Sequence, residues 1–409
     1  MREMKDSGIE WIGQIPKDWT LLPIKYVFNI NRGRVISALH LVEDGKYPVY
    51  SSQTENNGCF GYLNTYDFEG PAITWTTDGA KAGSVFYRDG RYNCTNVCGI
   101  LQLNDNYKDV NLHFATYAIA VVAQQNKRYD INGFKIMSNE MARIKFAIPD
   151  IVVQQQIADF LDTQCFEIDA TAEDIQKEIS LLEDYKKSVI TEAVTKGLNP
   201  DAEMKDSKIF YLGQINKTWN LTKVGYCCKK LYRPFEPSDE ALVCSNKGKV
   251  VPRGDTLIGL MTSDDNAMQG ICKGDIAIHG MDTWHGAIAC SEYDGKITRV
   301  VHVCKADGDN RFVVYWLQHL AFVGVYKLIS NGVRGNTSDF RSWDKVADIY
   351  VPNPIKDEQQ QIADFLDTKC SEIDTLIADK KRQLDILADY KKSLIYEYVT
   401  GKKEVPVNE

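Results

Sequence analysis

Two stretches of this chain each occur twice. MKDSGIEWIGQIPKDW at Met4–Trp19 returns as MKDSKIFYLGQINKTW at Met204–Trp219, and QQQIADFLDTQCFEID at Gln154–Asp169 returns as QQQIADFLDTKCSEID at Gln359–Asp374. A period of roughly 200 residues is far longer than a solenoid unit, so it indicates two duplicated modules. Because the bodies between these motifs differ in sequence, the pattern predicts two different binding domains held by one repeated frame.

The second motif of each pair opens a segment with the pattern of a long helix. Apolar residues recur there at steps of three and four, as in the seam of a coiled coil. Neither segment contains Gly or Pro before Gly197 and Gly401, which stand where a left-handed C-cap is expected. Each helix of about 40 residues would span about 60 Å.

We expect these two helices to pair with each other, since a lone helix with an apolar stripe needs a partner. The short link Leu198–Glu203 leads from the first helix directly into the second body. The pair is therefore predicted to be antiparallel, with one body at each end. In the alternative arrangement, each helix packs on its own module or pairs with a second chain.

Each body has the turn signals and short strand-like runs of a compact mixed β structure with small helices. ITWTTDGAKAGSVF at Ile73–Phe86 aligns without gaps with IAIHGMDTWHGAIA at Ile276–Ala289, sharing Gly83 and Gly286. The predicted fold class is α+β, with two globular mixed α/β domains separated by an antiparallel two-helix coiled coil in an internal pseudo-two-fold repeat. The predicted boundaries are 1–153 and 200–353 for the domains, and 154–199 and 354–409 for the helices.

The formal net charge of −8 argues against a nucleic-acid ligand only at first sight. The first helical segment carries about 10 acidic and 4 basic side chains, whereas the first body carries about 16 of each. Nearly all the excess acid therefore lies on the helices. A body that is neutral as a whole can still present one basic face to phosphates.

Several classes of protein are disfavoured by what the sequence lacks. No apolar run approaches the ~20 residues of a membrane span, and the N-terminus lacks the apolar core of a signal peptide. The 11 cysteines include no CxxC pair, which fits reduced thiols in the cytoplasm. GxxxxGK[ST], GxGxxG, HExxH and GxSxG are absent. We therefore predict a cytoplasmic binding protein with no catalytic residue, metal or cofactor of its own.

One alternative is a site in the second body at His279, Asp282 and His285, which have the chemistry of metal ligands. The chain contains 6 histidines scattered along its length, so structural roles are the favoured interpretation.

Basic residues next to glycine recur in loops of both bodies, and these are the candidate DNA contacts. Arg, Asn and Gln read base edges, while Lys mostly holds phosphate. The candidates are Arg32, Arg34, Lys81, Lys127, Arg128 and Lys135 in the first body, and Lys247, Lys249, Arg253, His285, Arg334, Asn336 and Arg341 in the second.

The frame resembles a known family. SGIEWIGQIPKDW, the QQQIADFLD start of a long helix and the DYKKSVITEAVTKG end are similar to the specificity subunit of type I restriction–modification systems, in the family's order over both halves. The resemblance implies that each body is a target recognition domain for one half of a bipartite double-stranded DNA sequence. The helices would set the spacing between the halves.

The resemblance also implies partners. Two adenine-specific methyltransferase subunits, which hold S-adenosylmethionine, would dock on the repeated frame, and a translocating restriction subunit that uses ATP and Mg would join them. One departure from the repeat is that Pro16 of the first opening motif is replaced by Asn216 in the second. The competing hypothesis is a coiled-coil scaffold that joins two protein partners without reading DNA.

Overall fold

The computed structural model describes residues 2–107, 109–131, 133–254, 265–330 and 339–406. The chain divides into two compact units, unit 1 with Met1–Ile175 and Arg382–Glu409, and unit 2 with Gln176–Lys381. Each long helix thus contributes one part to each unit. The four-part division expected from the sequence separates bodies from helices and not one compact unit from the other, and it stays a prediction.

Unit 1 contains 14 described strands, three helices of its own and the start of a long helix. The strands are β1 (Met4–Asp6), β2 (Gln14–Pro16), β3 (Thr20–Pro23), β4 (Phe28–Arg32), β5 (Tyr47–Tyr50), β6 (Cys59–Leu63), β7 (Phe68–Glu69), β8 (Ala72–Thr76), β9 (Val85–Arg88), β10 (Arg91–Cys94), β11 (Cys98–Leu103), β12 (Arg128–Asp130), β13 (Gly133–Lys135) and β14 (Lys145–Ile148). The helices are α1 (Ile24–Val27), α2 (Leu112–Asn126), α3 (Ser138–Met141) and α4 (Ile151–Lys196).

Two four-stranded sheets form body 1, in the orders β4-β11-β8-β9 and β6-β5-β10-β7, while β1-β2, β12-β13 and β14-β3 form two-stranded ribbons. The body closes where its first and last strands pair, with Thr20 opposite Ile148. Helix α2 buries Phe114 and Ile119 in the main core. Its N-cap Asn111 accepts a hydrogen bond from the Phe114 N–H, which fixes where the helix begins.

Unit 2 contains 12 described strands, four helices of its own and the start of the second long helix. The strands are β15 (Met204–Asp206), β16 (Gln214–Asn216), β17 (Asn220–Lys223), β18 (Cys228–Lys230), β19 (Ala241–Ser245), β20 (Lys249–Pro252), β21 (Met268–Ile271), β22 (Ile276–His279), β23 (Ile288–Cys290), β24 (Gly295–Thr298), β25 (Val301–Ala306) and β26 (Tyr350–Asn353). The helices are α5 (Val224–Cys227), α6 (Asn310–Phe322), α7 (Val325–Ile329), α8 (Trp343–Ala347) and α9 (Lys356–Val399).

Body 2 repeats the strand order of body 1 although the sequences differ. Its four-stranded sheets run β18-β25-β22-β23 and β20-β19-β24-β21, and β17 pairs with β26 as β3 does with β14. The gapless alignment is confirmed, since Trp75 faces Val85 and the aligned Ile278 faces Ile288. The shared Gly83 and Gly286 adopt φ of +80° and +79°, a left-handed conformation that side chains disfavour. The two mixed α/β bodies of the predicted fold class are therefore confirmed.

The long helices pair antiparallel within each unit. In unit 1, the Phe160 and Tyr398 rings contact at a tilt with centroids 4.6 Å apart, and Asp169 Oδ1 lies 2.6 Å from Lys391 Nζ. From the first contact to the second, residue numbers rise along α4 and fall along α9, so the two helices run in opposite directions. In unit 2, Lys186 Nζ lies 2.6 Å from Asp374 Oδ1, and Lys380 Nζ lies 2.5 Å from Glu178 Oε2. The predicted seam is confirmed: its buried members include Ile157, Leu161, Ile168, Ile179, Ile362, Leu366, Ile373 and Leu394.

Each long helix ends against an opening motif. Gly197 and Gly401 have φ of +89° and +69°, which confirms the predicted left-handed caps. A Cβ on Gly401 would lie 2.4 Å from the Pro16 ring, which shows that Pro16 packs directly against the end of α9. At the end of α4 the departure Asn216 donates a hydrogen bond of 2.6 Å to the Lys196 carbonyl, satisfying an orphan acceptor of the helix.

The first glutamine of each QQQ motif is the joint between body and helix. Gln154 is 1% exposed; it donates to the carbonyls of Asp109 and Pro149 and accepts from the Asn111 N–H at 2.9 Å. Gln359 makes the matching bonds in unit 2, donating to the Pro354 carbonyl and accepting from the Asp309 N–H. Each glutamine thus ties the helix start to the N-cap of the body's helix.

We expect Gln154→Leu to destabilise unit 1 by roughly 2–4 kcal/mol, because it leaves buried backbone groups without partners. Gln359→Leu should do the same to unit 2. Hydrogen-exchange protection of each unit measures both effects. The control is Gln156→Leu, the same change at an exposed neighbour, which should stay within about 0.5 kcal/mol. Equal effects of the Gln154 and Gln156 variants would contradict the joint.

Burial lowers the pKa of three histidines in unit 2, His279, His302 and His319, and that of His319 falls to about 4. A lowered pKa means that the folded state binds the proton less well than the unfolded state, whose histidines titrate near 6.5. The free energy of unfolding of unit 2 therefore falls as pH drops from about 6.5 towards 4, by up to about 1.4 kcal/mol per unit of pH and group.

We predict that unit 2 loses hydrogen-exchange protection between pH 7.5 and 5.0, after correction for intrinsic exchange rates. His319→Gln should remove part of this pH dependence, because the buried imidazole can no longer take up a proton. If unit 2 stays equally protected at both pH values, the buried histidines do not control its acid stability.

Within the described parts of the chain, no helix has the combination of length and apolar character needed to cross a bilayer.

Candidate nucleic-acid interface

In body 1, three segments meet at the same edge of the sheet β4-β11-β8-β9. The β8–β9 loop joins the β12–β13 ribbon, since the Gly79 N–H donates to the Phe134 carbonyl at 3.0 Å. The same loop joins the β10–β11 turn through a 3.0 Å hydrogen bond from the Thr77 N–H to the Val97 carbonyl. We call these three segments, together with the end of β4, edge 1; its described residues are 32–34, 77–82, 95–97, 127–131 and 133–136.

The first two candidate arginines lie on edge 1. Arg32 Nε donates to the Asn96 carbonyl at 2.6 Å, and Arg34 Nε lies 2.7 Å from Asp67 Oδ2. Gly33 between them is required, because a Cβ would lie 2.2 Å from the Cys94 carbonyl oxygen. Both guanidinium groups are exposed and held in place by one contact each.

The other four candidates of body 1 surround the ribbon, and they differ in whether a carboxylate of the body pairs with them. Arg128 and Lys135 both contact Asp130, at 3.1 and 3.0 Å, and Arg128 Nε lies 2.6 Å from Glu140. The cations and the Ile131 N–H hold the pKa of Asp130 at about 2. Lys127 lies 4.6 Å from the Phe134 ring centre, and Lys81 is exposed without an ion pair among the described residues. Lys81 is thus the most accessible of the four cations, whereas Lys127 is half-buried and donates to Gln124 Oε1 at 2.8 Å.

Body 2 builds edge 2 in the same way. The Gly280 N–H donates to the Val300 carbonyl at 3.0 Å, and the Phe340 N–H donates to the Gly280 carbonyl at 2.9 Å. The second bond matches that between Ile136 and Thr77 in body 1. We call residues 247–249, 280–286, 298–300 and 339–341 edge 2.

Four of the body 2 candidates lie on edge 2. His285 ends the 3-10 helix Thr283–His285, and Arg341 follows Phe340. Lys247 lies in the β19–β20 turn and Lys249 is the first residue of β20. Gln318 joins this turn to β23 by donating to the carbonyls of Gly248 and Ile288.

The remaining candidates are not part of this group. Arg253 follows the opposite end of β20, so the length of that strand separates it from the two lysines of the turn. Arg334 and Asn336 lie outside the described residues.

The two edges share a ring N–H bond that sequence reasoning missed. In body 1, Trp75 stands opposite Gly99 and donates to the Ile136 carbonyl at 3.0 Å. In body 2 the large residue is on the other strand. Ile278 stands opposite His302, whose Nε2 lies 2.7 Å from the Phe340 carbonyl. Alignment alone does not reveal the exchange, because it depends on which residues face each other across two strands.

Body 2 also has a basic cleft of about 580 Å³ next to edge 2. It is lined by Lys230, Tyr232, Arg233, Pro234, Phe235, Met268, Gln269, Arg299 and Val301. Arg233 is anchored by Asp275 Oδ1 at 2.7 Å, and Arg299 Nε donates to the Met268 carbonyl at 2.9 Å. Arg299 was not among the predicted contacts, because only the turn between β24 and β25 brings it to the cleft.

The alternative metal site has a structural explanation. His279 Nδ1 accepts hydrogen bonds from the N–H groups of Met281 and Asp282, at 3.3 and 3.1 Å, so this nitrogen organises the loop. Among the described residues, no group of three or more His, Cys, Asp or Glu side chains could hold a metal ion.

We predict that Trp75→Phe loosens the ribbon of edge 1, because it removes the bond to the Ile136 carbonyl at a cost of about 1 kcal/mol beyond the loss of packing. Hydrogen exchange at Ile136 and its neighbours measures this. Trp19→Phe is the matched control: Trp19 is equally buried, and its Nε1 has no acceptor among the described residues. A similar loss in both variants would assign the effect to volume alone.

Comparison with known proteins gives a consistent set of similarities. Residues 16–181 match the family profile described as the type I restriction modification DNA specificity domain. The N-terminus of a putative type I specificity subunit from Mycoplasma pneumoniae is 44% identical over 141 residues, covering 34% of this chain and 74% of that protein. A second putative type I specificity subunit from that organism is 37% identical over 139 residues, covering 34% of this chain and 45% of the relative.

A solved structure has a similar fold over most of the chain. It was reported as the structural basis of complex assembly and conformational transition of the type I R-M system. The TM-score is 0.66 at 11% identity, covering 95% of this chain and 99% of that one. At this identity the similarity concerns the fold alone.

Proposed function

Because this chain belongs to the family of type I restriction–modification DNA specificity subunits, we propose that it selects a bipartite double-stranded DNA sequence for its complex. Body 1 reads one half of the target through edge 1, and body 2 reads the other half through edge 2. The chain is the non-catalytic subunit, and the chemistry belongs to its partners.

The observation that carries this proposal is that two bodies of unlike sequence share one strand order and place basic side chains on the matching edge. Phosphate contacts supply affinity, and base contacts supply specificity. A shared framework with different edge residues is what two half-sites of different sequence require. It also explains why the frame is repeated and the edges are not.

The long helices are proposed to set the distance between half-sites. Helix α4 has 46 residues and α9 has 44, or about 69 and 66 Å at ~1.5 Å per residue. One turn of DNA is about 34 Å. Helices of this length suit half-sites separated by one to two turns.

The repeated exposed residues are proposed to dock two identical methyltransferase subunits. Gln156 and Asp159 on α4 are exposed, as are the equivalent Gln361 and Asp364 on α9. Two like surfaces fit two like partners. The methyltransferases would carry S-adenosylmethionine, a restriction subunit would bring ATP and Mg, and the complex would act in the cytoplasm.

The test is to map methylated adenines in cells that express this chain with its methyltransferase partner, before and after exchange of residues 20–148 for another such body. These residues are a sound unit of exchange because Thr20 pairs with Ile148. We expect one bipartite motif, of which the exchange alters one half only.

The corresponding exchange of residues 220–353 is the control and should alter the other half, since Asn220 pairs with Asn353. A change in both halves after either exchange would contradict the modular assignment. The scaffold hypothesis makes a different prediction. A complex that does not contact DNA phosphates releases no counterions, so any DNA that it retains would be retained equally at low and high salt.

A further inference from the structure

The β12–β13 ribbon of edge 1 has two unlike faces. Arg128 pairs with Lys135, and Tyr129 pairs with Phe134 across the two strands. Because side chains alternate along a strand, Arg128, Asp130 and Lys135 share one face, and Tyr129 and Phe134 share the other. The charged and aromatic faces therefore have separate roles.

The charged face holds the ribbon to the body. Two cations directly opposite each other are unfavourable, and Asp130 compensates by contacting both. Arg128 also reaches Glu140, whose other oxygen accepts the Met137 N–H at 2.6 Å at the start of α3. Arg128 and Lys135 are both paired with carboxylates in this network. They therefore position the ribbon and are little available to an anionic ligand.

The aromatic face lies open to solvent. Tyr129 is 77% exposed and packs edge-on against Phe134 at 5.7 Å, while Ile131 at the tip is 95% exposed. A two-stranded ribbon gains little stability from such residues when they face water. Clustered exposed apolar side chains on a held element mark a surface that meets a partner.

The surroundings of this face fit a polyanion. Lys127 lies over the Phe134 ring, and the loop carrying Lys81 is bonded to the ribbon at Phe134. Arg32 lies on the same edge through the β10–β11 turn. An apolar centre flanked by accessible cations matches a DNA groove, where phosphates border the base edges.

We propose that this ribbon is the sequence-reading element of body 1, with Tyr129 and Ile131 contacting base edges in the major groove. The groove is about 12 Å wide and admits a two-stranded β-ribbon. Ile131 would contact a thymine methyl group, so the half-site contains an A·T pair at that position. The proposal rests on the proposed function and reassigns Arg128 and Lys135 from DNA contacts to positioning residues.

The experiment compares methylation motifs of the full chain with its methyltransferase partner in Tyr129→Ala and Ile131→Ala variants. Each variant should lose roughly 10-fold discrimination at a position of one half-site and leave the other half unchanged. Tyr26→Ala is the matched control. Tyr26 is 54% exposed but lies in α1, at the opposite end of β4 from edge 1, and its variant should keep the motif intact.

Salt dependence separates reading from phosphate binding. Tyr129→Ala and Ile131→Ala should leave the slope of log K against log salt unchanged, while Lys81→Ala and Lys127→Ala should each reduce it by about 1. Thermal melting of the full chain should be the same for the four variants whose replaced side chains are exposed. Lys127→Ala should melt slightly lower, because the half-buried Lys127 donates to Gln124 Oε1.

Two results would overturn the inference. One is an unchanged motif in both ribbon variants, and the other is loss of methyltransferase assembly with normal DNA binding, which would make the ribbon a protein-docking surface. Both leave the proposed function standing. Absence of any bipartite motif in the wild-type complex would refute the proposed function itself.

Discussion

The placement of each body depends on one buried amide side chain at the start of a long helix. Gln154 and Gln359 each fasten a helix start to the segment before it and to the N-cap region of the body's own helix. Helix α4 is about 69 Å long, so a change of one degree in its starting direction moves its far end by about 1 Å. If the helices set the distance between half-sites, as proposed, the joint at this point must have little freedom. This explains why the repeat is strongest in the QQQ motif.

The sequence predicted the elements whose signals are local. The heptad pattern, the terminal glycines and the short link between modules were sufficient for two long antiparallel helices, and the aligned glycines Gly83 and Gly286 located equivalent hairpins. Local spacing carries this information because a helix or hairpin is formed by residues close in the chain. The same reasoning selected the candidate contacts that lie on edge 1 and most of those on edge 2, and their role in binding DNA stays a prediction.

What the sequence did not reveal depends on residues far apart in the chain. The network of Arg128, Asp130, Lys135 and Glu140 shows that two predicted contacts are engaged within the body, and a count of cations cannot detect that. The large ring lies on one strand in body 1, at Trp75 opposite Gly99, and on the other strand in body 2, at His302 opposite Ile278. Finding this difference requires the register of the two strands. Arg299 reaches its cleft only through a turn. The proposed base-contacting residues, Tyr129 and Ile131, carry no charge, so a pattern of basic residues next to glycine does not include them.

The first and last strands of each body pair with each other, and this has a consequence for how the gene can evolve. Thr20 and Ile148 are neighbours, as are Asn220 and Asn353, so a body enters and leaves the chain at one point. The frame motifs that flank the bodies are nearly identical in the two halves. Genetic recombination within the DNA that encodes those motifs would therefore deliver a complete body to either position. A lineage could acquire a new DNA specificity in one step, without an unstable intermediate.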